Sequence, residues 1–122
     1  MTFAKLTFRI AGIYGLIVLI PGFFAESKFS RDYPPALTHA EFYYGFFAVA
    51  VAWQILFLIL STDPQKYRAM IIPSILEKFG YPVVLVFLHF QNRIDPRMFA
   101  LGSIDWIFLA LFIIAYKKTR PQ

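Results

Sequence analysis

Four long apolar blocks, separated by short polar connections, organise the chain from end to end. They cover about residues 6–25, 41–60, 70–90 and 98–116, each close to the roughly 20 residues that a helix needs to cross about 30 Å of hydrocarbon. The pattern predicts an all-α fold, an integral membrane bundle of four transmembrane helices forming one domain over residues 1–122. Almost nothing is left over for a soluble domain.

Polar residues at the block edges predict how each helix starts and stops. Pro21-Gly22 should kink or end the first helix, and the loop from Glu26 to Ala40, with Tyr33-Pro34-Pro35, should return the chain. Thr38 and Glu41 have the Thr-x-x-Glu spacing of a capping box, in which each side chain satisfies a free backbone N–H. Asp63-Pro64 and Asp95-Pro96 each set a capping acid before a proline suited to a first helical turn. Lys5, Arg9 and the run Ile10 to Ile20 imitate a signal peptide, but Phe23 stands where a cleavage site needs a small residue, so the block is read as a helix.

Two acids interrupt this apolar pattern. An ionised group near the bilayer centre costs about 2.5 to 3.5 kcal/mol on insertion scales, so Glu77 and Asp105 each need a partner or a purpose. Around Glu77 the third block also carries Pro73, Ser74, Lys78, Gly80, Tyr81 and Pro82, which predicts a bent, polar helix of the kind that lines cavities. Ser74, Glu77 and Tyr81 share a helical face, whereas Lys78 is turned about 100° from Glu77, so the two neighbours need not pair. Two readings stand for Glu77. Either it meets Arg9 while Lys78 snorkels to the surface, or it faces a cavity and handles a proton or a cationic ligand.

Asp105 shares its face with Met98, Leu101, Gly102, Leu109, Phe112 and Tyr116, an apolar wall around an isolated acid. A neutral Asp105 bonded to another helix and an ion pair with Lys78 are its structural readings; without a partner it is a functional candidate. Gln54 lies at about the depth expected of Glu77. It is read as a hydrogen bond between helices, or, if both face inward, as part of one polar cluster with Glu77 and Tyr81. Gly45, Ala48 and Ala52 form a small-residue stripe suited to close helix packing. Glu77 is expected on the cytoplasmic side of the midplane and Asp105 slightly outside it, as two separate anchors along one cavity rather than a catalytic dyad.

Composition agrees with the pattern. Hydrophobic residues make up 59%, aromatics 20% and charged residues 16%, with mean hydropathy +0.61, too apolar for an ordinary soluble domain. The net charge of +5 raises the question of nucleic acid, but the basic residues lie at the block edges. Lys5, Arg9, Lys66, Arg68, Lys117, Lys118 and Arg120 fall on one side against Lys28, Arg31, Arg93 and Arg97 on the other, which places both termini in the cytoplasm. Membrane lipids, not nucleic acid, are the partners this implies.

Cysteine is absent, which excludes disulfides and thiol chemistry. His39 and His89 lack a tight spacing to a carboxylate, so no metal site is expected, and they lie too far out to ligate haem; no cofactor is indicated. A catalytic Glu41 beside His39 at the outer mouth is the alternative to the cap.

Phe42-Tyr43-Tyr44-Gly45, Ala52-Trp53-Gln54 and the run from Asp63-Pro64 to Glu77-Lys78 resemble a group of small, uncharacterised bacterial four-helix membrane proteins. More loosely, the layout is similar to DoxX-like and EXPERA-type membrane proteins. The EXPERA resemblance implies a bundle enclosing a ligand cavity, sometimes with carboxylates that hold a cationic or sterol-like ligand, for which Gln54, Glu77 and Asp105 are the available positions. The DoxX resemblance implies an accessory role beside a redox enzyme.

Three functions follow. The first is a protein that binds, or isomerises, a lipophilic ligand entering between helices, with Glu77, Asp105, Gln54 and Tyr81 as site candidates and Arg9 and Lys78 as structural charge partners. The second is an accessory subunit of a larger respiratory or photosynthetic membrane complex. The third, a proton-coupled transporter working as a homodimer, ranks last: small multidrug transporters carry their essential acid in the first helix, and this first block has none.

Overall fold

The computed structural model describes residues 2–121. Helix α1 (Thr2–Leu19) passes into a 3-10 turn (Ile20–Phe24), followed by α2 (Glu26–Asp32) and α3 (Ala40–Thr62). A second 3-10 turn (Arg68–Met70) leads into α4 (Ile71–Phe90), and the chain ends with α5 (Pro96–Gly102) and α6 (Asp105–Lys118). No strand occurs among the described residues. Four helical stretches, Thr2–Phe24, Ala40–Thr62, Arg68–Phe90 and Pro96–Lys118, are 23 residues each and apolar enough to cross a membrane. The protein is a membrane-integral, all-α four-helix bundle.

Pro21 acts as expected: it has no N–H to continue the α-helical ladder, and α1 stops at Leu19. Asp95 also caps as expected, its carboxylate accepting the Arg97 N–H at 2.8 Å with Pro96 opening α5. Asp63 accepts the Lys66 N–H at 3.2 Å and so caps the turn after α3 rather than a helix.

Three expectations fail. The stretch from Glu26 to Ala40 is not a plain loop but contains α2. The capping box does not form: His39 occupies the N-cap position, and Glu41 turns back to the His39 ring, Oε1 lying 3.1 Å from Nδ1, instead of reaching a backbone N–H. The fourth span is not one continuous helix. It breaks at Ser103 and Ile104, where Ser103 Oγ donates to the Phe99 carbonyl at 2.7 Å and Ile104 N–H bonds tightly back to Leu101 at 3.3 Å. Gly102 permits the break to pack, because a Cβ there would lie 2.0 Å from Leu85 Cδ1.

The helices meet in ring order. α1 packs along α3 and against α6, α4 packs against α5 and α6, and α3 touches α4 only lightly. The α1–α3 contact is close because α1 supplies glycines: a Cβ on Gly12 would lie 2.9 Å from the Gln54 carbonyl oxygen. The Gly45–Ala48–Ala52 stripe is not that contact. It is exposed on the outer face of α3, and a Cβ on Gly45 would meet nothing within 4 Å.

The bundle is filled unevenly along its length. In the half nearest the termini, Phe8, Phe57 and Phe112 are fully buried, with the Phe8 and Phe112 ring centroids 4.6 Å apart and Phe57 and Phe112 5.1 Å apart. Ala4, Ala11, Leu60, Ile71 and Ala115 close the space around them. In the other half α5 follows α4 and leaves room between itself and α1.

Candidate functional site

That room is a cavity of about 480 Å3 reached by all four spans. α1 contributes Tyr14 and Gly15, α3 contributes Phe46, Phe47 and Gln54, α4 contributes Glu77, Lys78 and Tyr81, and the broken fourth span contributes Gly102 and Asp105. Pro73 falls in the first turn of α4, where its missing N–H costs little, and the helix stays continuous through Pro82. The third span therefore carries its polar residues to the cavity on one continuous helix.

Lys78 is the centre of the polar end. Its side chain is 5% exposed, and Nζ lies 3.5 Å from Glu77 Oε2 and 3.5 Å from Asp105 Oδ1. Below it are the rings of Phe57 and Phe108, with centroids 5.1 and 5.2 Å from Nζ, so a cation–π floor separates the charges from the packed half. Helix breakage matters here, because it makes Asp105 the first residue of α6. A carboxylate at that position also meets the positive end of the helix dipole.

Several expected pairings are corrected by this geometry. Lys78 does not snorkel, and Arg9 is exposed and forms no ion pair with Glu77. Glu77 and Lys78 do pair despite their 100° separation around the helix, since the long lysine stem bridges the angle that separates the two Cβ atoms. Asp105 is not isolated, and the two acids are not separate anchors at different depths, because one ammonium serves both.

Gln54 is 2% exposed and reaches the cavity wall, but it makes no bond to another helix. Its Nε2 donates to the Ala50 carbonyl of its own helix at 2.8 Å, while Oε1 has no partner. The reason is its neighbour: the side chain lies against Gly15, which has nothing to donate from a side chain. Glu77 Oε2 is likewise buried without a hydrogen bond. Tyr81 lines the cavity, and its ring meets that of Phe46 at 5.5 Å on the lightly packed α3–α4 side.

Tyr14 belongs to the site and was not anticipated. It lines the cavity on α1 with its ring 5.4 Å from that of Phe108. The signal was a lone hydroxylated ring followed by a glycine in an otherwise aliphatic stretch.

The mouth is tied by α2, whose Phe29 and Asp32, with the adjoining Tyr33, reach the cavity lining. Arg97 at the start of α5 donates to the Asp32 carbonyl at 3.0 Å and lies 4.6 Å from the Tyr33 ring. Tyr44 of α3 donates to Glu26 at 2.8 Å. Asp32 is hydrogen-bonded by Lys28 and sits beside Arg31, which together hold its carboxyl below the ordinary range. Arg97 does the same for Asp95.

Neither histidine enters the cavity. His39 pairs with Glu41 on the surface, and His89 stacks on Phe99 at 4.2 Å. Among the described residues, no three His, Cys, Asp or Glu side chains gather as a metal-ligand set.

Comparison with protein-family models, curated proteins and solved structures returns no match for the chain.

Proposed function

We propose that this is a small inner-membrane protein, both termini cytoplasmic, that binds a lipophilic ligand in the cavity between its helices. The observation that carries the reading is a mostly apolar, aromatic-walled space whose polar end is formed by Glu77, Lys78, Asp105 and Gln54. The volume of about 480 Å3 falls within the range of small-molecule sites. The thin α3–α4 contact, where Phe46 meets Tyr81, is the side by which a molecule dissolved in the bilayer would enter. Should chemistry follow binding, such as an isomerisation, Glu77 and Asp105 are the groups placed to move a proton.

Native mass spectrometry of the protein released from nanodiscs tests the reading. The expected spectrum carries a small-molecule adduct on the wild type that is lost from Asp105→Asn. A wild type free of every adduct would count against it. A second reading, an accessory subunit, draws on the exposed Gly45–Ala48–Ala52 face of α3, and in the same spectrum it predicts a second polypeptide.

A further inference from the structure

We infer that Lys78 is a nucleophile whose side-chain amine forms a Schiff base with a lipophilic aldehyde seated in the cavity. This rests on the ligand-binding reading and names the chemical class of the ligand. A lysine amine condenses reversibly with a carbonyl carbon, and shelter from water favours the condensation because water is its product. Of the six lysines, Lys5, Lys28, Lys66, Lys117 and Lys118 are exposed, and Lys78 alone lies inside the bundle.

The geometry leaves one approach to its nitrogen. Phe57 and Phe108, with ring centroids 5.1 and 5.2 Å from Nζ, stand behind it outside the cavity lining, while Lys78, Glu77 and Asp105 belong to that lining. Gln54 Oε1 and Glu77 Oε2 are enclosed atoms without a partner, but Nζ is not among them and keeps open surface. Its two carboxylate contacts of 3.5 Å exceed the roughly 2.7–2.9 Å of a charge-assisted bond, so the nitrogen is positioned without being locked to either acid.

One ionised carboxylate is enough for the step. It takes a proton from the Lys78 ammonium, which removes two opposite charges from low-dielectric surroundings, and the freed lone pair attacks the aldehyde carbon to give a carbinolamine. The resulting carboxylic acid returns its proton to the carbinolamine hydroxyl, the C–O bond breaks, and water leaves toward the polar mouth beside Lys28 and Asp32. An ammonium and an aldehyde thus become an iminium and water. The nitrogen carries one positive charge before and after, whether or not the second acid is ionised, so the contacts that fasten α4 to α6 keep their cation. Acylation by an activated ester would instead leave a neutral amide between the acids. An aldehyde suits the site better than a ketone, because a side chain 5% exposed admits only an unhindered carbon. Tyr14, Phe46, Phe47 and Tyr81 then surround its apolar tail.

The test exposes the full chain, in phosphatidylcholine nanodiscs that offer no headgroup amine to condense, to dodecanal and cyanoborohydride near neutral pH. The hydride reduces an iminium to a stable N-dodecyl lysine, and peptide mass spectrometry gives the rate at each lysine. Dodecanol binding is measured in parallel, with empty nanodiscs subtracted. Lys78 is expected to be alkylated about tenfold faster than each exposed lysine, at a rate that saturates in dodecanal and falls when excess dodecanol competes. Equal or slower alkylation at Lys78, while dodecanol binds saturably, overturns the Schiff base and leaves the cavity reading standing. Fast alkylation there that neither saturates nor yields to dodecanol marks a reactive lysine without a seated ligand and overturns the inference. Failure of both the alkylation at Lys78 and saturable dodecanol binding overturns both readings. The exposed lysines of the same chain are the comparison, so no variant has to fold.

Discussion

Lys78 Nζ stands 3.5 Å from Asp105 Oδ1, joining the middle of α4 to the first residue of α6 at the break in the fourth span. The pair holds the broken helix against the third. It also shares the lysine with Glu77, so neither acid owns the ammonium.

Removing the cation should therefore hurt more than removing either anion. Lys78→Met leaves two half-buried carboxylates without their shared cation, and loss of one partner from a buried pair costs up to about 3–5 kcal/mol. Thermal unfolding in mild detergent is the measurement. Lys78→Met is expected to lower Tm well below the wild type, and the double variant with Asp105→Asn to recover part of the loss. An unchanged Tm in Lys78→Met would show that the ion pairs carry no structural weight.

The acids should behave in the opposite way. Glu77→Gln and Asp105→Asn each remove one of two acids that share a single lysine, so folding should change by no more than about 1 kcal/mol in either direction. Retention of the bound molecule should fall sharply in both. If adduct retention survives in both variants while Tm drops, Glu77 and Asp105 are structural and the site assignment fails.

Two glycines separate helix packing from bare exposure. Gly12→Ala places a Cβ 2.8 Å from Leu58 and 2.9 Å from the Gln54 carbonyl, and should cost about 1–3 kcal/mol by overpacking the α1–α3 contact. Gly45→Ala points into open space and should be neutral or stabilising by up to about 1 kcal/mol through helix propensity. Paired denaturation curves decide; equal effects would contradict the helix order described above.

Helix α2 itself should loosen in acid, because the Lys28–Asp32 pair lies within it. Asp32 has its carboxyl held low in the folded state, so its contribution is present above the ordinary carboxylate value, near about pH 4, and is lost as pH falls below that through the depressed folded value. The protection of α2 amides, after correction for the intrinsic pH dependence of exchange, is expected to fall over that window, and that fall to be absent in Asp32→Asn. Arg97 grips the Asp32 carbonyl, which does not titrate, so Arg97→Ala is needed to release α2 at neutral pH.

Much of the bundle was legible because hydrophobic length is a one-dimensional property. The four spans, the stop at Pro21 and the Asp95 cap are all written in local order. The pairing of Glu77 with Lys78 was misread because helical-wheel angles describe Cβ directions and ignore how far a lysine reaches. The break before Asp105 was invisible because nothing in Gly102-Ser103 forces it; Leu85, distant in sequence, packs over the glycine and makes the break affordable. Gln54 is read from sequence as an interhelical hydrogen bond or an inward cluster member, but its missing partner depends on Gly15 being opposite, and helix pairing is not encoded in the spacing of one segment. The failed capping box at Thr38 shows the same limit, since His39 competes for Glu41.

The half packed with the rings of Phe8, Phe57 and Phe112 turns the cavity into a cul-de-sac rather than a corridor. Whatever reaches Lys78 must leave by the way it came. For such a blind chamber the informative kinetic quantity is residence time, not throughput, and a slow off-rate would be set by how readily the α2 strap or the Phe46–Tyr81 side yields.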